Sequence, residues 1–239
     1  MSVKPFERQK TAPMYEHQKL VILDAGGTTV DAFEAINLAF SAHNMEIGDV
    51  GRFQDRRKLF KYIGGFKELP KNLRKQLTEK QRVALINTLT EIYRERAQLF
   101  EGMGSMINRL IVQPDLHVGI ITRNITQEPE KTLQQLYRRN GVDITGLDFF
   151  IHLTLREHKL PAFHAVRENL RVNPARAFAT GDEKSDYLAA IGSGMHPFMV
   201  SFGFESYERL TNKIGIPAVL ISRQPTELKQ RVFHALDIS

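Results

Sequence analysis

Lys19-Leu-Val-Ile-Leu-Asp24-Ala-Gly-Gly27-Thr28-Thr-Val-Asp31 is the stretch from which the fold is read. An unbroken apolar run ends in a carboxylate, a glycine-rich turn and a hydroxyl. Apolar residues at every position, rather than every second one, fit a strand covered on both faces, as in a parallel sheet. Ligands bind such sheets outside the carboxyl ends of the strands, so Asp24 is expected at the mouth of the sheet. It has two readings there: a cap for the turn that follows, or a nucleophile toward an electrophilic phosphorus. In the second, the amides around Gly26 and Gly27 form a nest for phosphate oxygens.

Downstream the pattern turns helical. Asp31 and Glu34 form a capping box, with Phe33, Ile36 and Phe40 on one face. Val50, Phe53, Phe60 and Ile63 predict a second helix, stopped at Gly64-Gly65. Thr78 and Gln81 form another capping box, opening a long helix with Val83, Ile86, Leu89, Tyr93 and Ala97 along it. Gly102 and Gly104 mark its end. Residues 32–104 therefore read as an all-helical insert. From residue 105 strand and helix alternate. Strands are expected at 116–121, 149–151, 176–180, 197–202 and 218–221. Helices are expected at 126–140, 161–171, 184–193 and 225–236. This alternation predicts an α/β fold with a parallel sheet and right-handed crossovers. The sheet domain is split between residues 19–31 and 105–239, and residues 1–18 read as a loose tail.

The chain has 239 residues, a net charge of +6 and no cysteine. That length suits one large domain, or a domain with a smaller one. No apolar run approaches the roughly 18 residues of a membrane span, and residues 1–18 lack the apolar stretch of a secretory signal. The missing cysteines exclude disulfides and thiolate ligands and fit a reducing, cytoplasmic setting. Eleven lysines and arginines crowd residues 52–82. They read as a solvated helical face, as a basic wall attracting an anionic substrate, or as a nucleic-acid surface, although no recognition motif accompanies them. Neither a nucleic-acid nor a membrane partner is expected, and monomer and homodimer both stay open. No Walker or Gly-x-Gly-x-x-Gly sequence points to a nucleotide cofactor.

Further chemistry-bearing residues fall at strand ends. Gly181-Asp182-Glu-Lys-Ser-Asp186 follows a strand and opens a helix. Asp182 or Ser185 as a helix cap is one reading; a hard-cation site is the other. Mg²⁺ takes a few carboxylates and keeps waters, which leaves positions for substrate oxygens. Asp24 and Asp182 would then flank one ion from adjacent strand ends, holding nucleophile and phosphoryl group together. Thr122 offers a hydroxyl to a phosphate oxygen, and Lys159 offers positive charge to the transferring group. Arg123 and Asn124 adjoin Thr122 and are candidates to touch substrate. The eight histidines show no ligand-like spacing.

Together these residues resemble the haloacid dehalogenase superfamily. Its signature is a first-strand Asp-x-Asp-Gly-Thr, a second-strand Ser or Thr, a Lys or Arg, and a final Gly-Asp-x-x-x-Asp. Asp24…Gly27-Thr28, Thr122, Lys159 and Gly181-Asp182…Asp186 follow it in order, across about residues 19–236. The resemblance implies a doubly wound, Rossmann-like core and a small helical cap at residues 32–104 that closes over the site and selects substrate. It implies a hydrolase of a small phosphorylated or phosphonate compound, in which Asp24 forms an aspartyl-phosphate. Asp24, the Gly26 carbonyl and Asp182 would hold Mg²⁺, with Asp186 supporting them. Thr122 and Lys159 would bind the phosphoryl oxygens, with Gly27, Thr28, Arg123 and Asn124 on the substrate side.

Gly26 departs from that signature, because phosphatases of the superfamily carry there a second Asp that protonates the leaving alkoxide. Such acid–base help is worth about a hundredfold to ten-thousandfold. Three expectations follow. The chain is similar to phosphonoacetaldehyde hydrolases, which have Asp-x-Ala-Gly-Thr-Thr-Val-Asp and a cap lysine that forms a Schiff base. Gly27-Thr-Thr-Val-Asp31 agrees with that string, and Lys67 stands three residues after Gly64. Against this, Pro70 replaces the expected histidine and Arg123 the usual glycine, and Lys67 has the plainer reading of a solvated cap lysine. Alternatively, the chain is a phosphatase of the phosphoglycolate type with impaired acid catalysis, or a non-catalytic protein binding a phosphorylated ligand or a partner. A dehalogenase fits less well, since that branch has a bulky apolar residue at Gly26 and no metal.

Overall fold

The computed structural model describes residues 15–45 and 78–238. Six parallel strands form one sheet: β1 (Lys19–Leu23), β2 (Leu116–Arg123), β3 (Phe149–Leu153), β4 (Ala177–Gly181), β5 (His196–Val200) and β6 (Ile221–Ser222). Their spatial order is β3-β2-β1-β4-β5-β6. The chain runs outward from β1 on one side and outward from β4 on the other, so the sheet is doubly wound. β1 is central, with Val21 in register with Val118 of β2 and Phe178 of β4.

Among the described residues seven α-helices accompany the sheet: α1 (Ala32–Ala42), α2 (Glu79–Glu95), α3 (Met103–Ile111), α4 (Pro129–Arg139), α5 (Lys159–Asn169), α6 (Lys184–Gly192) and α7 (Pro225–Leu236). Successive strand side chains point to opposite faces, and β1 feeds two cores accordingly. Val21 and Leu23 join a cluster with residues of α1, α2, α3, α4 and α7. Leu20 and Ile22 join a second with Phe163 and Val166 of α5 and Ala189 and Ala190 of α6. Each fully buried Leu or Ile contributes about 1.5–3 kcal/mol, so β1 needs its uninterrupted apolar run. This is the α/β, Rossmann-like architecture read from the sequence.

Local signals work as well. Thr78 and Gln81 make a reciprocal capping box at the start of α2. Asp31 accepts from the Glu34 amide at 3.1 Å, which is half of the expected box. Other expectations need correction. Val83 is 47% exposed, because α2 turns Leu85, Leu89, Ile92 and Tyr93 inward instead. Residues 218–220 form a 3-10 turn, which leaves only Ile221–Ser222 as strand. α4 begins at Pro129, after Glu128 adopts a left-handed backbone. Residues 15–18 are not all loose: the Glu16 amide donates to Arg171 O at 2.9 Å. The helix expected around Val50–Ile63, Gly64-Gly65 and Lys67 all lie outside the described residues.

Backbone hydrogen bonds tie the segment after β1 to the segment before α3. Asp31 N–H donates to Gln98 O at 3.0 Å, and Phe100 N–H to Thr29 O at 3.0 Å. α1 packs on α2, and α2 on α4 of the sheet domain. Thr90 Oγ1 accepts from Gln127 N at 2.9 Å, and Arg94 reaches Thr132 Oγ1 at 3.0 Å and Glu128 at 3.2 Å.

Candidate active site

Asp24 follows β1 and Asp182 follows β4, so both stand where the winding reverses. Crevices open at that place because the connections on either side lead away from each other. Lys159 is the first residue of α5 and Asp186 lies in the first turn of α6, helices that pack together on one face. The four side chains converge. Lys159 Nζ donates to Asp24 Oδ1 at 2.6 Å and to Asp186 Oδ1 at 2.5 Å. One carboxylate oxygen each from Asp24, Asp182 and Asp186 lies within 4.8 Å of the others. All four residues are buried, none more than 4% exposed.

Protein groups fix the acids' orientation. Asp182 Oδ2 accepts from Phe204 N at 2.6 Å. Asp186 Oδ2 accepts from Glu183 N at 2.9 Å, so Asp186 is at once the N-terminal brace of α6 and the anchor of Lys159. Burial pushes the Asp24 carboxyl up from 3.8 to about 6; Lys159 opposes this, and Asp186 reinforces it. Burial alone would lower the Lys159 ammonium, but Asp186 and Asp24 together hold it above its ordinary value. Three buried acids against one ammonium leave a deficit of positive charge, and buried charge demands compensation. Oxygen-only donors of this kind suit a hard dication such as Mg²⁺.

The turn after β1 is tight. The amides of Thr28, Thr29 and Val30 all donate to Ala25 O. Gly27 N–H donates to Val30 O at 3.0 Å, so this amide of the expected nest is spent within the turn. The need for glycine at 27 is conformational and steric: its φ is +85°, and a Cβ there would stand 2.4 Å from Asp182 Oδ2. Gly26 is different. A Cβ there would meet Ala32 at 3.6 Å and Phe204 at 3.8 Å, ordinary contacts, so neither space nor backbone excludes a side chain. Thr28 lies 3.4 Å from Asp24 Oδ2, and Thr29 Oγ1 donates to Asp24 O at 3.1 Å.

A cavity of about 200 Å³ opens over the acids. Asp24, Gly26, Lys159 and Asp182 lie on its wall, as do Arg123 and Asn124. Arg123 is committed within the protein, donating to Glu183 Oε2 at 2.5 Å and Ser185 Oγ at 2.6 Å. Asn124 Oδ1 accepts from Thr126 N at 2.7 Å. Thr122 is 1% exposed, its hydroxyl has no hydrogen-bond partner among the described residues, and it is not among the residues that line the cavity. Three contributors are missed by the sequence reading. Helical spacing gives Tyr93 only as helix core, yet it lines the cavity. Glu183 and Phe204 line it too. A Cβ on Gly203 would meet Gly27 O, so a glycine between two phenylalanines after a strand is the available signal of close backbone approach.

A family model for haloacid dehalogenase-like hydrolases matches residues 21–200. The chain belongs to this family. The haloacid dehalogenase resemblance read from Asp24, Thr122, Lys159 and Asp182 is thus borne out, and the protein is an enzyme of that superfamily. No curated protein sequence matches significantly. Solved haloacid dehalogenase-like structures share the fold along nearly the whole chain. A Haemophilus somnus protein described as a predicted phosphoglycolate phosphatase is 17% identical with a TM-score of 0.63, covering 91% of this chain and 99% of its own. A haloacid dehalogenase-like hydrolase of Streptococcus pneumoniae is 20% identical with a TM-score of 0.58, covering 90% and 99%. CbbY of Rhodobacter sphaeroides, in complex with phosphate, is 17% identical with a TM-score of 0.53, covering 80% and 89%.

Proposed function

We propose that this haloacid dehalogenase-like enzyme is a Mg²⁺-dependent phosphohydrolase of a small phosphate monoester, with Asp24 as nucleophile. The observation that carries this reading is the buried group of three carboxylates and one ammonium at the winding reversal. The phosphoglycolate-type description of one structural relative and the phosphate held by another agree with it. Asp24 would attack phosphorus to form an aspartyl-phosphate, which water then hydrolyses. Lys159 holds Asp24 ionised and in place, and faces the phosphoryl group with positive charge. Asp186 keeps Lys159 charged and aimed. The Thr122 hydroxyl donates to a phosphoryl oxygen. Asp24 and Asp182, with the Gly26 carbonyl, would hold Mg²⁺, which screens nucleophile from phosphoryl oxygens.

Residues 32–104 are proposed as the cap over this cavity, since Ile36 of α1 and Leu89 of α2 line it. Phosphonate cleavage would require a cap lysine such as Lys67, and the departures at Pro70 and Arg123 from the phosphonoacetaldehyde hydrolase pattern give the ester reading precedence. The test is phosphate release with Mg²⁺ from aryl phosphate, sugar phosphates, phosphoglycolate and phosphonoacetaldehyde. Release from esters, abolished by chelation and by Asp24→Asn, is the expected result. Release from phosphonoacetaldehyde alone, or release that survives Asp24→Asn, would overturn the proposal.

A further inference from the structure

We propose that the Tyr93 hydroxyl is the proton donor to the leaving oxygen, a role resting on the phosphohydrolase reading above. When an Asp24 oxygen attacks phosphorus, the bond from phosphorus to the organic oxygen breaks and its electron pair goes to that oxygen. An alkoxide leaves far faster if a proton meets it. Gly26, beside the nucleophile, carries no side chain to supply one.

The described residues lining the cavity narrow the choice. Lys159 spends its protons on Asp24 and Asp186. Arg123 donates to Glu183 and Ser185. Asp24, Asp182 and Glu183 are acceptors, the last from Arg123 and Ser185. The Asn124 amide is no acid. Tyr93 remains, lining the same cavity as Asp24 and Gly26 while only 4% exposed. No hydrogen bond engages its hydroxyl among the described residues, whereas that of Tyr137, the second buried tyrosine of this core, is paired with Thr29 Oγ1 at 2.6 Å. A phenol on the wall of a cavity beside a nucleophile, with its hydroxyl engaged by no protein group among the described residues, is available to a ligand oxygen.

Burial, with Tyr137 and Asp24 adding to it, holds the Tyr93 proton well above neutral pH. The phenol therefore still carries its proton at neutral pH and can give it to a departing alkoxide. The balance closes in the second half-reaction. Water attacks phosphorus, the bond from phosphorus to the Asp24 oxygen breaks, and a proton of that water returns to the Tyr93 oxygen.

The experiment compares two esters on wild type and Tyr93→Phe, with Mg²⁺. 4-Nitrophenolate leaves without a proton, whereas the alkoxide of glycerol 3-phosphate does not. Tyr93→Phe should lose about a hundredfold in kcat on glycerol 3-phosphate and less than about fivefold on 4-nitrophenyl phosphate. The aryl ester also reports that the variant is folded. Equal losses on the two esters, or no loss on either, overturn the assignment while leaving the phosphohydrolase reading intact. A wild-type protein that cleaves neither ester overturns both.

Discussion

Asp24→Asn should make the metal-free protein more stable, although it removes the proposed nucleophile. Asp24 is 4% exposed, and burial raises its carboxyl from 3.8 to about 6. That rise corresponds to roughly 3 kcal/mol against the ionised form at neutral pH. The sign follows from proton binding. Between about pH 4 and 6 the folded state holds a proton at Asp24 that the unfolded state has released, so this residue's contribution falls as pH rises and levels off above 6. The substituted amide has no charge to lose, and Lys159 keeps its 2.5 Å pair with Asp186. The gain should be about 1–3 kcal/mol at pH 7.5, the lower figure allowing for the lost attraction to Lys159, or roughly 3–10 °C in Tm for a chain of this size. Thermal unfolding in a chelator, for both proteins from pH 4 to 8, isolates the effect as a difference. The gap should be small at pH 4, open up to pH 6 and stay constant above. A variant less stable than wild type at pH 7.5, or a gap independent of pH, would refute the reasoning.

Two adjacent glycines should answer differently to the same change. Gly27→Ala forces a Cβ onto Asp182 and a left-handed backbone onto alanine, so it should cost about 2 kcal/mol or more in chemical denaturation. Gly26→Ala finds only ordinary contacts and should stay within about 1 kcal/mol of wild type, on the stabilising side. The acids should also show themselves through the ion. At about a hundredfold excess over its Kd, Mg²⁺ should add about 2.7 kcal/mol of stability, and Asp182→Asn should abolish most of that response in a thermal shift.

What can be read in the sequence is whatever depends on local order. The run before Asp24 announces a strand buried on both faces because nothing in it tolerates water. The last helix is legible to the residue, 225–236, because Pro225 and its apolar spacing are local signals. Val83 misleads because an apolar residue at helical spacing says nothing about which neighbour arrives to cover it. The 3-10 turn at 218–220 reads as strand because apolar β-formers suit both. Asp24, Lys159, Asp182 and Asp186 are each legible as candidates, but their convergence depends on strands more than a hundred residues apart. Tyr93 and Phe204 carry no signal beyond hydrophobicity. Both come into view only when the loop after β5 and the inner face of α2 close the same cavity.

Thr29 has a consequence of its own. Its hydroxyl holds the carbonyl of Asp24 and meets Tyr137 of α4, and its carbonyl receives the amide of Phe100. Three stretches of chain are thus riveted at one residue that water does not reach. A displacement of Phe100 or of α4 is therefore passed to the backbone that carries Asp24, so their placement and the aim of Asp24 are not independent. A slack joint here would blur the aim of Asp24 even if every group around the acids were left untouched.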